Sequence, residues 1–166
     1  MPNRPEINLA ADDERRLAAH LFNHVWTLLE RSDRTQAEDD EMLHAAHASR
    51  HHWGQVGQPV HRARGEWQCS RVYAVLGRSE PALHHARRCL ELADANDLGS
   101  FDVGCGHEAL ARAYLVAGDI DASAKHAAEA STAAEEITDE EDRGVLLGDV
   151  AEVRRAHLTD DGNATE

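Results

Sequence analysis

The sequence predicts an all-α fold built as a stack of helical hairpins, with about three pairs and a capping helix. Three observations carry this. Hydrophobic residues make up 42% of the 166 residues but aromatics only 4%. The core must therefore come largely from Ala, Leu and Val, which suits close-packed helices better than a sheet rich in β-branched and aromatic residues. Apolar residues recur at helical spacing in segments that end at turn glycines and prolines. The third observation is an internal repeat: the stretch from Glu66 to Leu92 is echoed 41 residues further on.

Residues 1–8 contain two prolines and little apolar content, and read as a loose lead-in. A single helical-repeat domain is expected over 9–158, with a disordered tail over 159–166. A first helix from about Leu9 to Arg31 places Leu17, Leu21, Phe22, Val25, Trp26, Leu28 and Leu29 on one half of its cylinder. Thr35 and Glu38 have the spacing of a capping box and open a second helix. Its stripe is Met42, Ala45, Ala46, Ser49, Trp53 and Val56, ending near Gly54. A third helix follows Pro59 and stops at Gly77, because glycine takes a left-handed backbone conformation without strain. Ser79 is expected to cap the fourth, with Pro81 tolerated in the first turn. The fifth spans about Val103 to Ala117, Gly118 turns the chain, and the sixth covers about Ile120 to Ile137. Thr138 and Glu141 suggest a second capping box opening a last helix to about His157.

Laying SRVYAVLGRSEPALHHA on ARAYLVAGDIDASAKHA matches Arg71, Tyr73, Val75, Gly77, His85 and Ala86 with Arg112, Tyr114, Val116, Gly118, His126 and Ala127. This resembles the tetratricopeptide repeat, over residues 66–137. Ser70 and Ala111 stand at that motif's small position, Tyr73 and Tyr114 at its aromatic wedge, and Gly77 and Gly118 at its turn. Ala82 and Ser123 take the small contact of the second helix. The chain departs from the family in its offset of 41 residues against 34. Glu66 and His107 occupy the place of the leading Trp, and the closing Pro is missing. The resemblance implies a right-handed stack of antiparallel hairpins; a plain helical bundle is the structural alternative.

A net charge of -14, from 31 acidic and 17 basic residues, argues against a general affinity for nucleic acid or anionic membrane. Cys69, Cys89 and Cys105 form no paired framework. No apolar run suits a signal peptide or a membrane span, so the expected compartment is the cytoplasm.

Two constellations are candidates for function. On the third helix Arg64, Trp67, Gln68 and Arg71 fall within an arc of about 100° away from Cys69 and Val72, and Glu108 and Arg112 take the corresponding place on the fifth. The resemblance implies that these helices line a groove for a protein or peptide partner. Stacked Arg71 and Arg112 would hold an acidic group or a C-terminal carboxylate through paired hydrogen bonds; the competing reading is that they form salt bridges within the fold. The second constellation is Asp40, His44, His47 and His51, within about 60° of arc on the second helix, with His20 and His24 added from the first. Imidazole and carboxylate suit zinc, nickel, iron or copper, making a transition-metal protein or metalloenzyme the alternative function. A solvated histidine face explains the same pattern. No motif requires a cofactor, and no catalytic signature such as Gly-x-Ser-x-Gly is present. Self-association through the exposed ends of the stack, as a homodimer, is a third class.

Overall fold

A computed structural model describes residues 9–161, the side chains of 158–161 apart. The described residues form seven helices and no strand: α1 Ala11–Leu29, α2 Gln36–Val56, α3 Pro59–Val75, α4 Ser79–Ala95, α5 Ser100–Val116, α6 Ile120–Glu135 and α7 Glu140–Asp161. The expected lead-in lies outside the described residues, and so do 162–166 of the expected tail. Residues 159–161 are the last turn of α7, which runs past the expected end at His157.

Local chemistry explains the element boundaries. The Thr35 hydroxyl accepts from the Glu38 amide, and the Glu38 carboxylate accepts from the Thr35 amide. Gly77 and Gly118 have φ of 70° and 76°. Each permits the same pair of closing bonds: Arg78 N to Tyr73 O and Gly77 N to Ala74 O, repeated as Asp119 N to Tyr114 O and Gly118 N to Leu115 O. Two expected caps are displaced by one residue. Ser79 is already helical, and its predecessor Arg78 holds the cap position. At the start of α7 the carboxylate of Asp139, not the Thr138 hydroxyl, accepts from the amides of Glu141 and Asp142.

Packing is sequential. Each helix packs on the next, and the backbones of α1, α3, α5 and α7 also approach one another in turn, more closely than those of α2, α4 and α6. The odd-numbered helices thus form the tighter row. Three apolar clusters follow one another along the chain. Val25, Met42 and Val72 join α1, α2 and α3; Ala82, Ala86 and Leu110 belong to the middle tier; Ala130, Leu146 and Val150 join α6 to α7. Each tier buries its apolar surface only against its neighbours, as a stack of repeats requires.

The two matched hairpins share more than their turns. The Ser70 hydroxyl donates to the Ala82 carbonyl across α3 and α4; between α5 and α6, Ser123 donates to Ala111. Serine and alanine exchange places, yet the cross-helix bond survives. Tyr73 stacks on His85 and Tyr114 on His126, both within 8° of parallel. Glu66 and His107, one repeat apart, complete each stack: Glu66 bonds His85 at 2.6 Å, and His107 bonds His126 at 3.0 Å.

Candidate functional site

The odd-numbered row carries a network of charged and aromatic side chains. Trp67 Nε1 donates to Glu108 Oε2 at 2.9 Å, and Arg112 Nε donates to Glu108 Oε1 at 2.8 Å. Arg71 crosses from α3 to α7, donating to Asp149 Oδ1 at 2.9 Å and to Glu152 Oε2 at 3.4 Å. Its guanidinium lies over the rings of Trp26 and Trp67, at 5.6 and 5.5 Å from their centroids. Arg64 makes two bonds to Asp102, at 2.8 and 3.1 Å, and lies over Phe101. Trp67, Glu108 and Asp149 succeed one another at intervals of 41 residues, so one repeat position supplies three rungs of the ladder.

Burial and pairing set the electrostatics. The Asp102 hydrogen bonds hold Arg64 above its usual range. Burial alone would lower Arg112, but the adjacent Glu108 carboxylate outweighs it and raises the guanidinium. Asp149 is pushed up by burial, against the opposing pull of Arg71. The three thiols are poor nucleophiles at neutral pH: burial carries Cys69 to about 12 and raises Cys89 and Cys105 too. Cys105 lines a cavity while its neighbour His107 is bonded to His126, so no Cys–His pair forms there.

Four of the six residues expected on the binding face, Trp67, Arg71, Glu108 and Arg112, are brought together in these linked contacts, while Arg64 stands beside them in its own pair with Asp102. Gln68 is not among them. It is 1% exposed, because α1 covers that edge of α3, and its Nε2 donates to the Phe22 carbonyl. Spacing alone did not reveal Asp149 and Glu152, which α7 delivers to Arg71 and Arg112. Two hollows open beside the network. One of about 360 Å³ is bordered by Trp26, Leu29, Glu30, Arg71, Val75, Arg112 and Glu152. The other, about 220 Å³, lies among Phe22, Trp26, Trp67, Phe101 and neighbours from α4 and α7.

The histidine constellation is dispersed. Asp40, His44, His51 and His20 are exposed. His24 stacks on His20 and bonds Glu41 at 2.7 Å. His47 turns instead toward α3 and α4, where Nε2 meets the Tyr73 hydroxyl at 2.9 Å and the ring packs edge-on against His85. Among the described residues no three His, Cys, Asp or Glu side chains stand close enough to share a metal ion. None of the described helices is long and apolar enough to cross a membrane.

Burial lowers the pKa of His47, His107 and His126, and neighbouring imidazolium charge adds to the effect at His47 and His126. With folded values below the unfolded one, the unfolded chain takes up these protons first as pH falls. Stability from these groups is full above about pH 6.5 and declines below it, toward their folded values. We expect the melting-temperature advantage of the wild type over His107→Gln to shrink between pH 7.5 and 5.5. The subtraction removes the effect of summed charge, and a difference that stays constant would refute the assignment.

Comparison of the chain with known protein families, with curated proteins and with solved structures returns no match.

Proposed function

We propose that this chain is a binding module for a protein or peptide segment that presents a carboxylate to Arg71 and Arg112. A single observation carries the reading. Glu152 Oε2 stands between the two guanidinium groups, 3.4 Å from Arg71 NH2 and 3.3 Å from Arg112 NH2. Each arginine has another, shorter and more deeply placed partner, Asp149 or Glu108. Glu152, with a side chain 48% exposed, is therefore the weakest member of the network. Its oxygen marks a position between two guanidinium groups that a ligand carboxylate would fill with shorter, charge-assisted bonds.

The hollow of about 360 Å³ beside this position gives such a ligand room, with exposed Val75 and the rim of Trp26 to receive its apolar part. In the tetratricopeptide resemblance, the odd-numbered helices correspond to those lining the groove. Binding also fits the chemistry better than catalysis, since the thiols are held protonated and the row's carboxylates are committed to arginines.

The test is a random-peptide display selection against the purified chain, followed by affinity measurements on the selected peptides. Neutralising their carboxylates by amidation should weaken binding about tenfold or more, the scale of a charge-assisted hydrogen bond. Glu152→Gln, a change at an exposed residue, should strengthen it by freeing the position. Peptides that bind equally well after amidation, with affinity unmoved by Glu152→Gln, would overturn the proposal.

A further inference from the structure

The chain has three Trp, two Tyr and two Phe. None of these seven is among the buried hydrophobic residues of the described core. Four of them, Phe22 and Trp26 from α1, Trp67 from α3 and Phe101 from α5, are instead half-buried around the cavity of about 220 Å³. Rings bury more apolar area than any other side chain, yet here Ala, Val, Leu and Met fill the core, and the four rings, of which Phe101 and Trp67 pack against its edge, line an open space. That distribution makes poor sense as packing alone and good sense as the wall of a site.

The chemistry of the wall narrows the occupant. Two carboxylates reach it, Asp102 and Asp149, but Arg64 and Arg71 neutralise them at 2.8 and 2.9 Å. Arg71 already lies over the rings of Trp26 and Trp67. A cationic ligand would therefore compete with a built-in guanidinium, and an anionic one would meet arginines that are already paired. The remaining surface is apolar or softly polarisable, with Cys89 and Cys105 as protonated thiols and Val145 on the α7 side. Sulfur and ring edges both favour contact with another aromatic ring. An apolar cavity of about 150 Å³ is known to hold benzene, so this one has room for one or two fused rings.

We infer that the cavity between α1, α3, α5 and α7 is a binding site for a neutral aromatic ring system. The site adjoins the carboxylate position, with Trp26 in the wall of both, but stands without it, since the ring carries no charge and the arginine pairs stay intact when it binds. The ring enters as a free small molecule, which the volume of about 220 Å³ admits.

The probe is 5-fluoroindole, followed by fluorine NMR and by the indole N–H signals of the full chain. Saturable binding should shift the Trp67 and Trp26 signals and leave Trp53, which stacks on His61 away from the cavity, unchanged. Val145→Trp, at a residue 53% exposed on the rim, should weaken binding about tenfold or more by closing the mouth. Cys105→Phe fills the cavity from within and should do the same; melting temperatures of both variants establish that they are folded. Absence of saturable binding, or binding unaffected in a folded Val145→Trp chain, overturns the inference. Since the probe has no carboxylate, either outcome leaves the role of Arg71 and Arg112 to its own test.

Discussion

Replacing Glu108 with Ala is expected to lower the stability of the chain by about 3–5 kcal/mol, the cost of removing one member of a buried ion pair. Glu108 is 1% exposed and serves two helices at once. One carboxylate oxygen accepts from Arg112 on its own helix, and the other from the indole of Trp67 on α3. Deleting it leaves a largely buried guanidinium with the more distant Asp149 and Glu152, at 3.9 and 3.3 Å. The Trp67 N–H loses its acceptor as well. Glu108→Gln keeps the shape and one acceptor oxygen, so it should cost less, because only the charge and one bond are lost. The pair Glu108→Leu with Arg112→Met removes both charges together. It should recover part of what the single change loses, and urea unfolding of the set measures the coupling directly. A loss under about 1 kcal/mol for the single change would mean that water reaches this position and that the ladder is a surface feature.

The same ladder shows which parts of the molecule could be read from the sequence. Arg71 and Arg112 could be placed on one face because their register depends only on helical periodicity and the 41-residue offset. Their partners could not. Asp149 and Glu152 are 78 and 81 residues from Arg71, and whether α7 reaches back to α3 depends on how the helices between them pack. The turns at Gly77 and Gly118 were legible for the opposite reason: a left-handed residue after a helix is a local event. The caps at Ser79 and Thr138 were misplaced by one residue, since adjacent side-chain oxygens or backbone positions can serve a helix start. His47 shares the spacing of the exposed histidines, but its neighbours are Tyr73 and His85. Periodicity within α2 carries no information about what α3 and α4 place opposite it. The aromatic cavity was hidden in the same way, because Phe22, Trp26, Trp67 and Phe101 come from three helices.

The glycines of α5 lead to the second large expected effect. Gly106→Ala should destabilise the chain by about 1–3 kcal/mol, the usual range for overpacking a filled interface. A β-carbon there would stand 2.9 Å from the Leu90 Cα and 3.0 Å from its Cβ. The obstruction at Leu90 includes backbone, so no rotamer change relieves it, and α4 and α5 would have to separate. Those helices join the two matched hairpins, so the strain falls on the contact that holds successive tiers together. Gly148→Ala makes the same chemical change within α7, where a β-carbon meets nothing within 4 Å. There the outcome should have the opposite sign, a gain of up to about 1 kcal/mol, because alanine loses less backbone entropy in a helix. Opposite shifts in melting temperature for the two substitutions would establish that the glycine of α5 is required by the approach of α4. Stabilisation by both would mean that α4 and α5 have room to spare.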